Sequence, residues 1–99
     1  MSESFHLVAV WRAKAGEEAR IAALLGEFVP RARQEPGCIQ FIAHRDLEDP
    51  RRFVLVEEYR DHAAFLDHRE SAEFKDYVLG RAVPLLEERV AFSLTEMPM

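Results

Sequence analysis

Apolar and polar residues alternate from Phe5 to Arg12, and this alternation predicts a strand: Phe5, Leu7, Ala9 and Trp11 point one way and His6, Val8, Val10 and Arg12 the other. Apolar groups stand on both sides, so the strand needs cover on both faces. The period then changes. Ile21, Leu24, Leu25, Phe28, Val29 and Ala32 form one helical stripe, opened by Ala15-Gly16-Glu17-Glu18 with acidic residues in its first turn. Pro30 lies inside the stripe and would crowd the carbonyl four residues earlier, which predicts a kink or tightened turn. Pro36 and Gly37 place the helix end near Glu35, with Gly37 as a flexible exit.

Two further strands follow, Cys38 to Arg45 and Arg52 to Tyr59, joined by a turn around Leu47-Glu48-Asp49-Pro50. In the first, Ile39, Phe41 and Ala43 oppose Cys38, Gln40, Ile42 and His44. In the second, Phe53, Leu55, Glu57 and Tyr59 oppose Val54, Val56 and Glu58. Asp61 is an N-cap for a short helix carrying Ala64, Phe65 and His68. Ser71 caps a second helical segment with Phe74, Tyr77 and Val78 inward, which Gly80 is expected to break, and Pro84 allows one more short turn. A last strand runs from Arg89 to Glu96.

The order β-α-β-β-α-β is the split βαβ, or ferredoxin-like, plan: a four-stranded antiparallel sheet with helices on one face, an α+β fold. Two helices cover one face only. Val8, Val10, Val54 and Val56 on the other need a partner, and a second copy would bury them isologously, so a homodimer through the sheet face is expected.

Ninety-nine residues suffice for one domain, 1–99, with a modest core. The net charge of −5 argues against nucleic acid or an anionic membrane as partner. No apolar run is long enough for a membrane span and no signal-peptide core is present, so a cytoplasmic location is expected. The single cysteine, Cys38, reads as a small buried hydrophobe, and no Cys/His spacing resembles a metal site.

Candidate chemistry collects on one strand face. Glu57 shares it with Phe53, Leu55 and Tyr59, so a helix-covered face would put a carboxylate in an apolar pocket, where lost hydration raises its pKa and suits it to proton transfer. The competing assignment is a structural Glu paired with an Arg or His. His68 could pair with Glu57, orient it or take a substrate proton; its alternative is a satisfied buried histidine before Ser71. Trp11, Phe41, Tyr59 and Phe74 offer aromatic walls for a flat substrate, though each alone also fits a core position. Parity sends His44 to the dimer side or solvent, and His6 and His62 read as surface residues.

Glu35-Pro36-Gly37-Cys38, His44-Arg45-Asp46, Asp49-Pro50, Phe53-Val54-Leu55-Val56-Glu57-Glu58-Tyr59, Ala64-Phe65 and His68-x-x-Ser71-x-x-Phe74 together resemble the antibiotic biosynthesis monooxygenase (ABM) family over nearly the whole chain. The resemblance implies a dimeric α+β barrel with a pocket between each subunit's sheet and helices. It implies oxidation of a small phenolic or hydroquinone-like substrate by O₂ without metal, flavin or haem, the substrate serving as reductant. Glu57 and His68 would be catalytic, and Trp11, Phe41, Tyr59 and Phe74 would bind substrate. The family's haem-degrading members resemble one another in a first-strand Asn and a Trp where His68 stands; this chain contains no Asn. Two other readings fit the same residues. An isomerase or lyase using the same acid–base pair on a small oxygenated metabolite, phosphorylated or not, would need a basic anchor, with Arg12 or Arg45 turned inward. A non-catalytic small-molecule-binding dimer would need only the pocket.

Overall fold

The computed structural model describes residues 3–99. Strand β1 (Phe5–Ala13) leads into helix α1 (Glu18–Ala32), then β2 (Cys38–Arg45), β3 (Arg52–Tyr59) and helix α2 (His62–Glu70). A π-helix, α3 (Phe74–Ala82), a 3₁₀ turn over Val83–Leu85 and strand β4 (Leu86–Leu94) complete the chain. All pairings are antiparallel, in the order β2-β3-β1-β4, giving the ferredoxin-like α+β fold.

Strand parity decides the core. Leu7, Ala9 and Trp11 of β1 and Phe53, Leu55, Glu57 and Tyr59 of β3 are buried on the helix side. Register places Trp11 opposite Phe53 and Leu7 opposite Glu57. From the helices, Ile21, Leu25, Phe28 and Val29 of α1 and Val78 of α3 close over them. Removing these side chains from water stabilises the sheet–helix layer by about 1.5–3 kcal/mol for each fully buried large residue.

The other sheet face is apolar and has no helix over it. Val8 lies between Val56 and Phe92, and Val10 between Val54 and Val90. Val90 and Phe92 are each about half exposed.

Several boundaries differ from the sequence expectation. Helix α1 runs through Pro30 and ends at Ala32, not Glu35. Beyond it the chain tightens into three-residue turns, Gln34 N–H to Arg31 O and Glu35 N–H to Ala32 O. Gly80 does not break its helix. It lies inside the π-helical segment, whose wider turn accommodates it. Strand β4 begins at Leu86 and ends at Leu94, because Ala13 pairs with Leu86 across an irregularity in register.

Gly37 owes its place to space and not to flexible φ. A Cβ there would lie 2.3 Å from the Cβ of Ala64, so only glycine lets the start of β2 touch α2. The backbone of Arg60 donates to the Gly37 carbonyl at 2.8 Å, and Asp61 caps α2 by accepting from Ala64 N–H at 2.8 Å. This contact fixes α2 beside the end of α1 and so sets the position of His68.

Candidate functional site

Between the inner sheet face, α2 and α3 lies a cavity of about 470 Å³. Trp11, Phe41 and Phe74 form apolar walls, and Glu57 and His68 are its buried polar groups. Phe28, Phe65 and Val78 complete the apolar lining; they carry no polar signal that would single them out in the sequence. A cavity of this size and lining suits a small, flat organic molecule.

Each polar side chain is held by a different element. Glu57 points inward from β3 by strand alternation. Its Oε1 accepts a hydrogen bond from the Tyr59 hydroxyl at 2.6 Å, two residues along the same face. Tyr59 is fully buried against Leu7, Ala64 and Phe65 and does not line the cavity. It stands behind Glu57 as its donor, and so departs from the expected role of an aromatic wall.

His68 occupies the last turn of α2 and is 3% exposed. Its Nδ1 lies 2.8 Å from Oε1 of Glu35, at the exit from α1. A carboxylate can only accept, so Nδ1 carries the proton and the Nε2 lone pair is left toward Glu57. Nε2 stands 4.0 Å from Glu57 Oε1, beyond hydrogen-bond reach. Phe28, Phe41, Tyr59 and Phe74 all approach the imidazole ring, with centroids 5.2–5.8 Å away. Glu35 is the residue whose role sequence reading missed. Its available signal was a carboxylate in the Glu-Pro-Gly turn, held next to the helix that Gly37 admits.

Burial sets the protonation states. Loss of hydration pushes the Glu57 carboxyl up to about 7, against the hydrogen bond from Tyr59 and with help from the negative Glu35. The same burial lowers the His68 pKa, while Glu35 pulls it back up. The Tyr59 hydroxyl is pushed well above its ordinary value by burial and by Glu57, so it stays a donor. At neutral pH the cavity thus holds a neutral imidazole with a free lone pair and a carboxyl near half-protonation. That pairing can accept one proton and supply another.

The family profile described as antibiotic biosynthesis monooxygenase matches residues 4–79. The chain belongs to the antibiotic biosynthesis monooxygenase family. PA3566 from Pseudomonas aeruginosa is 28% identical with a TM-score of 0.91, the match covering 99% of this chain and 98% of that one. SO0527 from Shewanella oneidensis is 26% identical at a TM-score of 0.90, covering 97% and 93%. A structure described as an antibiotic biosynthesis monooxygenase is 25% identical at a TM-score of 0.90, covering 95% and 99%. No curated protein matches the sequence. Within this ABM fold the remaining candidates take other places. Arg12 is bound by Asp49 and Glu87, and Arg45 lies over the Phe53 ring, so neither reaches the cavity. His44 is exposed on the outer sheet face beside the Val54 carbonyl. His6, half-buried, lies near Glu58 on that same face, and His62 is exposed beside Phe5. Cys38 is half-buried, not fully buried, and burial raises its thiol pKa. Among the described residues no group of three or more His, Cys, Asp and Glu side chains is arranged to hold a metal ion, and no helix is long and apolar enough to cross a membrane.

Proposed function

We propose that this protein is a cofactor-independent monooxygenase that oxidises a small phenol or hydroquinone with O₂. The observation that carries this reading is the pair of Glu57 and His68, both buried, on the wall of an aromatic cavity. His68 Nε2 takes the phenolic proton, and the resulting anion is electron-rich enough to pass one electron to O₂. The phenoxyl radical, whose spin is spread onto the ring carbons, and superoxide recombine, forming a C–O bond at a ring carbon. Glu57, in its protonated form, gives its proton to the peroxide. Loss of the ring hydrogen and cleavage of the O–O bond leave a ring carbonyl and release the second oxygen as water. One O₂ is consumed, one oxygen atom enters the substrate, and the four electrons come from the substrate itself.

Glu35 and Tyr59 act through the other two residues, Glu35 by fixing the imidazole tautomer and Tyr59 by orienting the carboxyl. Trp11, Phe41 and Phe74 hold the ring and keep water from the radical pair. The working unit is a homodimer, because the valine-rich outer face, extended by Val90 and Phe92, lacks cover within one chain.

The test is O₂ uptake by the full chain with a panel of phenols and hydroquinones, with and without a metal chelator. Chelator-resistant uptake that falls at least 100-fold in His68→Ala and Glu57→Gln supports the assignment. No uptake above the uncatalysed rate, or variants as active as the parent, overturns it.

A further inference from the structure

The π-helix α3 is bonded five residues back where an α-helix is bonded four. Val83 N–H, just past the segment, still donates to the Val78 carbonyl. That register shows in what the segment covers. Tyr77 and Ala82 are both buried, and Phe74 and Leu79 both line the cavity, each pair five residues apart. In an α-helix, residues five apart point about 140° away from each other. Leu79 therefore joins Phe74 on the cavity only because the turns of α3 are wide. An α-helical stripe through Phe74, Tyr77 and Val78 leaves it outside.

Two further features belong to the same register. Asp76 and Arg81, also five apart and each about half exposed, meet in a bidentate pair, Nε to Oδ1 at 3.0 Å and Nη2 to Oδ2 at 2.8 Å. On an α-helix a side chain meets its third and fourth neighbours, so α geometry would open this fork. The Arg81 guanidinium also lies over the Tyr77 ring, 4.5 Å from its centre, which ties the pair to a buried side chain. Gly80 is the second feature. A Cβ there would stand 3.3 Å from the Lys75 carbonyl oxygen, again five residues back, and glycine leaves that oxygen room. The start of the segment is pinned by Ser71, whose Oγ accepts from Phe74 N–H at 3.1 Å and donates to the His68 carbonyl at 2.8 Å. A change of register therefore turns Leu79 about a fixed Phe74.

We infer that Asp76 and Arg81 are positioning residues of the cavity: their ion pair holds α3 in the π register, and that register keeps Leu79 in the cavity wall. Released to the α register, Leu79 turns away and opens the cavity beside Trp11. Gly80 makes the first register possible, because alanine there would crowd the Lys75 carbonyl and is the better α-helix former. Leu79 is thus a gate residue whose position is set by an ion pair on the protein surface. This holds whatever reaction the cavity carries out.

Two measurements on the full chain test it. Scalar couplings across backbone hydrogen bonds, read by NMR, identify the carbonyl to which Val83 N–H is bonded. Trp11 is the one tryptophan, is 3% exposed and lines the cavity, so quenching of its fluorescence by acrylamide reports access. The parent and the charge-keeping Arg81→Lys are expected to couple Val83 to Val78. Arg81→Gln and Gly80→Ala are expected to couple it to Leu79 instead, with at least a twofold larger quenching constant. Leu79→Ala should raise quenching equally while Val83 stays coupled to Val78, which separates the wall residue from the register. A Val78 partner retained in Arg81→Gln or Gly80→Ala, Arg81→Lys behaving as Arg81→Gln, or parent-like quenching in Leu79→Ala overturns the inference.

Discussion

Glu35 and His68 stand 33 residues apart in sequence and share a 2.8 Å hydrogen bond between Oε1 and Nδ1. It joins the exit of α1 to the last turn of α2 and turns the imidazole's other nitrogen toward Glu57. A buried histidine without that carboxylate would be free to adopt either tautomer and could face the cavity with a donor in place of a base.

Replacing Glu35 by Gln keeps an acceptor at the same place and removes the charge. Because Glu35 raises the His68 pKa by its charge and its hydrogen bond, the variant's His68 should titrate at lower pH than the parent's. Nitrogen-detected imidazole NMR reads both the tautomer and the titration. The parent is expected to carry its proton on Nδ1, and an unchanged His68 titration in Glu35→Gln would refute the electrostatic role.

Glu57 gives stability a characteristic dependence on pH. Its carboxyl is raised from 4.5 to about 7 in the folded protein, so between these values the native state holds a proton that the unfolded chain has released. Stability from this group therefore declines as pH rises through that window, and the full penalty is present above about 7. Glu57→Gln should be more stable than the parent at pH 9, by up to about 3 kcal/mol, with the advantage gone near pH 4. Urea unfolding across that range measures it, and an advantage constant with pH would contradict the buried-carboxyl account.

His68 acts in the opposite sense. Its pKa is lowered on folding from the ordinary value of 6.5, so below 6.5 the unfolded chain binds a proton first and stability is lost as pH falls toward the folded value. In the parent this loss and the gain at Glu57 oppose one another below 6.5. The Glu57→Gln variant removes the offset, and its stability should fall visibly with acidification from pH 6.5; a flat profile there would argue against a buried neutral His68.

Gly37→Ala places a methyl group 2.3 Å from the Cβ of Ala64, whose backbone is fixed by the Asp61 cap. We expect a loss of about 1–3 kcal/mol, typical of overpacking. The displacement of α2 should also loosen the His68–Glu35 contact, so the His68 tautomer signal should change with it. A thermal unfolding curve matching the parent's would show that α2 does not depend on this approach.

Phe92→Asp puts a charge at the centre of the exposed apolar strip beside Val8. Sedimentation equilibrium should give a dimer for the parent at micromolar concentration and a monomer for the variant. A parent that sediments as a monomer would refute the dimer outright.

The sequence by itself determined the elements and the face each strand residue takes. Period-two alternation is a local property, so Trp11, Phe41 and Glu57 turn inward as their neighbours require, and the 3.6-residue stripe of α1 fixes which side Phe28 buries. The element order was equally legible, since each segment is bounded by its own turn chemistry, as at Asp49-Pro50 and the Asp61 cap. Helix ends were not legible where long-range packing decides them: Gly80 continues a π-turn, and Gly37 answers to Ala64. Only the tertiary structure decided how the inward groups divide. Tyr59 and Glu57 have the same parity, yet α2 closes over Tyr59 and leaves Glu57 on the cavity. Glu35 meets His68 because two helix ends dock. Such meetings depend on contacts between residues distant in sequence, for which neither periodicity nor spacing carries a signal.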